Sequence, residues 1–159
     1  MIKNKNPKIE IGNDTSYCEN SGIKFLLSAG LGLKKYLWNT NEYTPAISIS
    51  GKGKYKVTVW DSLGCPAFDS LNVIQKPNPY VNLRKDSSYC SEQGISIILR
   101  AGKGQKSYRW STSEITDSIK IKTGGLFYAE VTNNENCKSF DTIRISENQS
   151  PKVSLGSDK

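Results

Sequence analysis

Four cysteines, no histidine and a scatter of carboxylates set the chemistry open to this 159-residue chain. A cysteine can ligate zinc, attack as a nucleophile or pair with another cysteine, and the first two need helpers. With no histidine and no Cys-x-x-Cys, the usual zinc and thioredoxin-type arrangements are missing. Scattered Asp, Glu and Lys on turns supply neither a base poised on a nucleophile nor two opposed carboxylates, so catalysis is not expected, nor is a cofactor or metal. What remains is oxidation. Cys18 and Cys65 stand 47 residues apart, and so do Cys90 and Cys137. The equal spacing predicts the pairs Cys18–Cys65 and Cys90–Cys137, which would make each half self-contained. Closing a loop of that length removes chain entropy worth about 4 kcal/mol from the unfolded state. Such bonds persist outside a reducing cytosol. Free thiols and a bridge between the halves are the alternatives.

The elements that must hold these cysteines come from a tandem repeat. Asp14-Thr15-Ser16-Tyr17-Cys18 returns as Asp86-Ser87-Ser88-Tyr89-Cys90, an offset of 72 that also relates Leu27 to Leu99, Tyr36 to Tyr108, Trp38 to Trp110 and Cys65 to Cys137. Pro151 and Asp158 share the register of Pro7 and Asp14, so a third copy begins. The organisation read from this is a linker remnant at 1–6, repeats at 7–76 and 77–149, and a truncated first strand at 150–159 that belongs to a further repeat. Units this small bury a limited fraction of their surface and gain from covalent staples. Gln75-Lys76-Pro77-Asn78-Pro79 between them reads as a stiff joint.

Within a repeat, hydrophobic alternation predicts short strands over 8–11, 23–29, 35–38, 46–50, 55–60 and 68–74, with residues 12–22 as a polar loop and 51–53 as a turn. The second repeat follows through 95–99, 108–110, 119–121, 127–131 and 140–145. No stretch has sustained helical spacing. Several short strands separated by turns every eight to twelve residues predict an all-β chain of two antiparallel β-sandwiches. Tyr36, Trp38, Tyr108 and Trp110 are the expected core aromatics. Trp60 points the other way by strand parity, and its counterpart is Thr132; it would pack at an edge or neighbouring unit, or stack on a sugar. Lys and Arg exceed Asp and Glu by seven. Spread over strand faces, that excess reads as a solvated surface that discourages edge pairing, with weak attraction to anionic polysaccharide a further option. No stacking platform accompanies it for nucleic acid, and no apolar run is long enough to span a membrane. Asp14, Asp61 and Asp69 lie near unit ends but form no dense acidic loop for calcium.

Pro7-Lys8-Ile9-Glu10-Ile11-Gly12-Asn13-Asp14, then Cys18, Tyr36-Leu37-Trp38, Gly53-Lys54-Tyr55-Lys56-Val57-Thr58-Val59 and Gly64-Cys65 together resemble the immunoglobulin-like or PKD-like repeats of large surface and secreted proteins of Bacteroidetes. Pro151-Lys152-Val153-Ser154-Leu155-Gly156-Ser157-Asp158 matches that pattern best. The second copy departs from it at Arg84, Asn136 and Phe127. The resemblance covers essentially the whole chain. It implies tandem Ig-like domains in gliding-adhesin-type proteins exported by the type IX pathway, extracellular and non-catalytic, with neighbouring repeats and surface polysaccharide or other cell-surface protein as partners. It also implies O-glycosylation at Asp-Ser/Thr followed by an aliphatic residue, which singles out Ser62, Ser70, Ser118 and Thr142; the same dipeptides also start turns and strand ends. The leading expectation is a structural or adhesive segment, and the alternative is a carbohydrate-binding module contacting anionic glycans through Trp60.

Overall fold

Val57 and Val59 alternate with Lys56 and Thr58, and a period of two in side-chain direction is what turns such a run into a strand with one face in the core. The computed structural model describes residues 6–22, 24–149 and 151. Its strands are β1 (Thr15–Cys18), β2 (Phe25–Ser28), β3 (Lys35–Trp38), β4 (Ala46–Ile49), β5 (Gly53–Trp60) and β6 (Pro66–Lys76). The second set is β7 (Ser87–Cys90), β8 (Ile97–Arg100), β9 (Ser107–Trp110), β10 (Ser118–Ile121), β11 (Gly125–Thr132) and β12 (Lys138–Asn148). The only described helix is a 3-10 turn at Ser91–Gln93. Two compact units result, Met1–Pro77 and Asn78–Lys159. Most of the expected linker remnant 1–6 and truncated strand 150–159 falls outside the described residues.

Each unit is a small Ig-like sandwich. In the first, a four-stranded sheet ordered β1-β6-β5-β3 faces a two-stranded sheet β2-β4; the second repeats this as β7-β12-β11-β9 facing β10-β8. Leu27, Ile47 and Ile49 from the small sheet meet Trp38, Val57, Val59, Leu71 and Val73 from the large one in a single cluster. Leu99, Ile119 and Ile121 meet Trp110, Val131, Ile143 and Ile145 in the other. Trp38 and Trp110 are each 1% exposed, and their indole N–H groups donate to Thr44 O at 2.9 Å and Thr116 O at 2.8 Å. A buried indole keeps its apolar area without an orphaned donor in this way. Tyr36 is buried, while Tyr108 is half-buried against its cluster. The Tyr36 hydroxyl donates to Gly30 O and accepts from Leu33 N–H, closing the turn before its strand.

Two expectations about elements need correction. Residues 8–11 form no ladder strand; that segment is tied down by one hydrogen bond, Ile11 N–H to Asp69 Oδ2 at 2.8 Å. The polar stretch 12–22 instead contains β1, which pairs parallel with β6 through Thr15↔Val73 to Cys18↔Lys76. Its repeat β7 pairs parallel with β12 in the same way, so the large sheets are mixed where all-antiparallel sheets were expected. The reason is that an edge strand needs only one apolar contact to the core, here Tyr17, and Thr15-Ser16-Tyr17-Cys18 therefore carries almost no hydrophobic alternation.

Candidate functional site

The cysteines follow directly from this register. Cys18 ends β1 opposite Lys76, the last residue of β6. Cys65 sits just before β6 begins, in a turn where its N–H donates to Asp61 Oδ1 at 2.8 Å. The 11 residues of β6 lie between the two, a span of roughly 35 Å at the usual strand rise. A disulfide needs Cα atoms within about 7 Å. Cys90 and Cys137 are separated likewise by β12: Cys90 stands opposite Asn148, and Cys137 N–H donates to Asn133 Oδ1 before Lys138. The pairs Cys18–Cys65 and Cys90–Cys137 are therefore not formed. Cys18 and Cys137 are disulfide-bonded, while Cys65, half-buried, and Cys90, exposed, are free thiols. Equal sequence spacing reported the repeat and concealed the length of the strand inside it.

Chain direction gives these positions meaning. Residues 7–10 share a surface depression with Ala67 and Phe68, so the chain enters the first unit beside the start of β6 and leaves it from the end of β6 into Pro77. We call these the upstream and downstream poles. Cys65 and Cys137 are upstream-pole cysteines, Cys18 and Cys90 downstream-pole cysteines.

Trp60 closes β5 opposite Lys35. The Lys35 ammonium lies over its ring, 4.9 Å from the centroid, a cation–π contact of about 0.5–1 kcal/mol at an exposed site. Lys34, Lys35, Trp60 and Gly64 line a shallow open depression there. One face of the indole is thus occupied by Lys35, and stacking a sugar on that face requires the lysine to move. A similar contact sets Lys56 over Phe68, which is 69% exposed.

The aspartates hold backbone. Asp69 and its repeat Asp141 accept from Ile11 N–H and Leu83 N–H, at 2.8 and 2.7 Å. Asp14 accepts from Asn72 N–H at 2.7 Å and from the Asn72 side-chain amide at 3.0 Å, and Asp86 accepts from Arg144 N–H at 2.9 Å. Asn72's side chain first, its backbone N–H second and Lys54 last hold the Asp14 carboxyl below its ordinary pKa. Asp61 caps the turn to Leu63 and Cys65. Among the described residues, no three His, Cys, Asp or Glu side chains gather as a metal site. Sequence reasoning missed these clasps, although the recurrence of Asp14 as Asp86 and of Asp69 as Asp141 was the visible signal. Of the Asp-Ser/Thr positions, Ser62 and Thr142 are exposed, Ser70 and Ser118 half-buried, and Ser118 Oγ donates to Asp117 Oδ1.

No protein-family model matches the chain, and no curated protein matches it. Solved structures with a similar fold exist. One is the two-domain DIP-gamma IG1+IG2, at 12% identity and a TM-score of 0.42, covering 90% of this chain and 98% of that one. The insect immune protein hemolin gives 14% identity and a TM-score of 0.46 over 87% of this chain and 46% of its own. Sidekick-1 immunoglobulin domains 1–5 give 14% and 0.38 over 87% and 36%. Likeness this distant says nothing about what this chain binds.

Proposed function

We propose that the chain is a non-catalytic structural and adhesive repeat segment of a large extracellular bacterial surface protein, acting as a spacer that carries tension. The observation behind this reading is the geometry of each unit by itself. The chain enters at one pole and leaves at the other, and β1 runs parallel to the strand from which the chain departs. A pull on the two ends of such a unit drags β1 and β6 in opposite directions along their length. All their hydrogen bonds are then strained together, whereas peeling a hairpin breaks them one at a time. The disulfide-bonded state of Cys18 and of Cys137 supports an oxidising location, and the resemblance to surface repeats supports a bacterial surface setting. The adhesive part of the reading rests on the same resemblance to surface repeats.

Single-molecule stretching tests the reading. With disulfide bonds reduced, so that the load passes through the strands, handles at the chain ends are expected to give higher unfolding forces than handles at Lys52 and Lys76, which unzip β5 from β6. Equal or lower force from the ends would overturn the mechanical role. A second reading rests on the Lys34–Lys35–Trp60 depression, which suits an anionic glycan. Glycan-array binding abolished by Trp60→Ala with folding intact would favour it.

A further inference from the structure

Every cysteine in the chain lies at a pole of its unit, and each unit has one at each pole. The register forbids the two in one unit from meeting, since an entire strand of 11 residues separates them. The disulfide-bonded cysteines are one of each class, downstream-pole Cys18 and upstream-pole Cys137. The two free thiols are also one of each class, upstream-pole Cys65 and downstream-pole Cys90. By the repeat offset, Cys65 is the counterpart of bonded Cys137, and Cys90 the counterpart of bonded Cys18. The local settings match as well. Cys65 and Cys137 both follow a turn whose first residue, Asp61 or Asn133, accepts the cysteine N–H. Cys18 and Cys90 both end the parallel edge strand.

We propose that Cys65 and Cys90 are a complementary pair of disulfide-forming ends, through which this segment is joined covalently to further copies of the same repeat: an upstream-pole cysteine of one copy to a downstream-pole cysteine of another. The partner is a second repeat of this design, whether in the same chain or in a separate molecule. Pairing oxidises two thiols, and glutathione disulfide serves as the oxidant. One thiolate attacks it, expelling a glutathione thiolate; the second cysteine then displaces the other glutathione, so one glutathione disulfide becomes two glutathione thiols as one protein disulfide forms. The exposure of Cys90 suits it to the first attack.

The test uses the intact chain in a glutathione redox buffer, read by non-reducing electrophoresis and peptide mapping. Wild-type chain is expected to form a ladder of multiples of its mass, with Cys65 linked to Cys90 of another molecule. A mixture of Cys65→Ser and Cys90→Ser is expected to give a heterodimer of doubled mass with loss of both remaining thiols, in excess of any homodimer from either variant alone. Two outcomes assign the source: a ladder shows that separate molecules suffice. If only a chain extended by a further repeat becomes linked, at Cys90 and that repeat's upstream cysteine, joining is restricted to one chain. The proposal is overturned if Cys65 bonds Cys90 within one monomer, if the two variants homodimerise as readily as they pair, or if both thiols stay free in the original and the extended chain.

Discussion

Arg84 holds a backbone conformation that its repeat counterpart Gly12 adopts without strain: φ is 77° at Arg84 and 111° at Gly12. A side chain in the left-handed region costs about 1–2 kcal/mol, and glycine returns part of that as chain entropy. Arg84→Gly is therefore expected to stabilise the second unit by about 0.5–1 kcal/mol, read as increased amide-exchange protection on β11 and β12 alone. The aspartate clasps predict the opposite sign. Removing the acceptor in Asp69→Ala leaves the Ile11 N–H unpaired in a half-buried position, a loss of about 1–3 kcal/mol confined to the first unit. Asp14 adds a pH dependence. Its folded pKa is depressed by Asn72, so its contribution is present above the unfolded carboxylate pKa and fades as pH falls through the folded value. An NMR titration should show Asp14 titrating below its ordinary value in the wild type and nearer to it in Asn72→Ala.

At the scale of elements, the two sheets of each unit are held by a few large side chains. Trp110 contributes to one cluster from β9 and is 1% exposed. Trp110→Ala is expected to cost about 3–5 kcal/mol, enough to unfold a unit whose whole stability is of that order. Circular dichroism should lose roughly half of the strand signal, while amide exchange on β5 and β6 stays slow. Strands with a continuous inner face were legible before any coordinates, because Tyr55, Val57 and Val59 or Ile47 and Ile49 alternate with polar residues. The edge strands β1 and β7 were not legible. They offer the core one tyrosine each and draw their stability from a ladder with β6 or β12, strands more than fifty residues away in sequence. The same remoteness hid the clasps of Asp14 and Asp69, whose backbone partners lie 58 positions off.

For the whole molecule, the thiol inventory is the direct check. Alkylation of the unfolded, unreduced protein is expected to label Cys65 and Cys90 and to spare Cys18 and Cys137; labelling of none, or of all four, would contradict it. By itself the sequence determined the repeat, the all-β sandwich class and the buried tryptophans, because periodicity and turn chemistry are local properties that each stretch carries with it. Which cysteines can meet was decided only by tertiary structure. The distance between two residues depends on strand lengths and on pairing direction, and the parallel register of β1 on β6 puts Cys18 and Cys65 at opposite poles although their spacing suggested a closed loop.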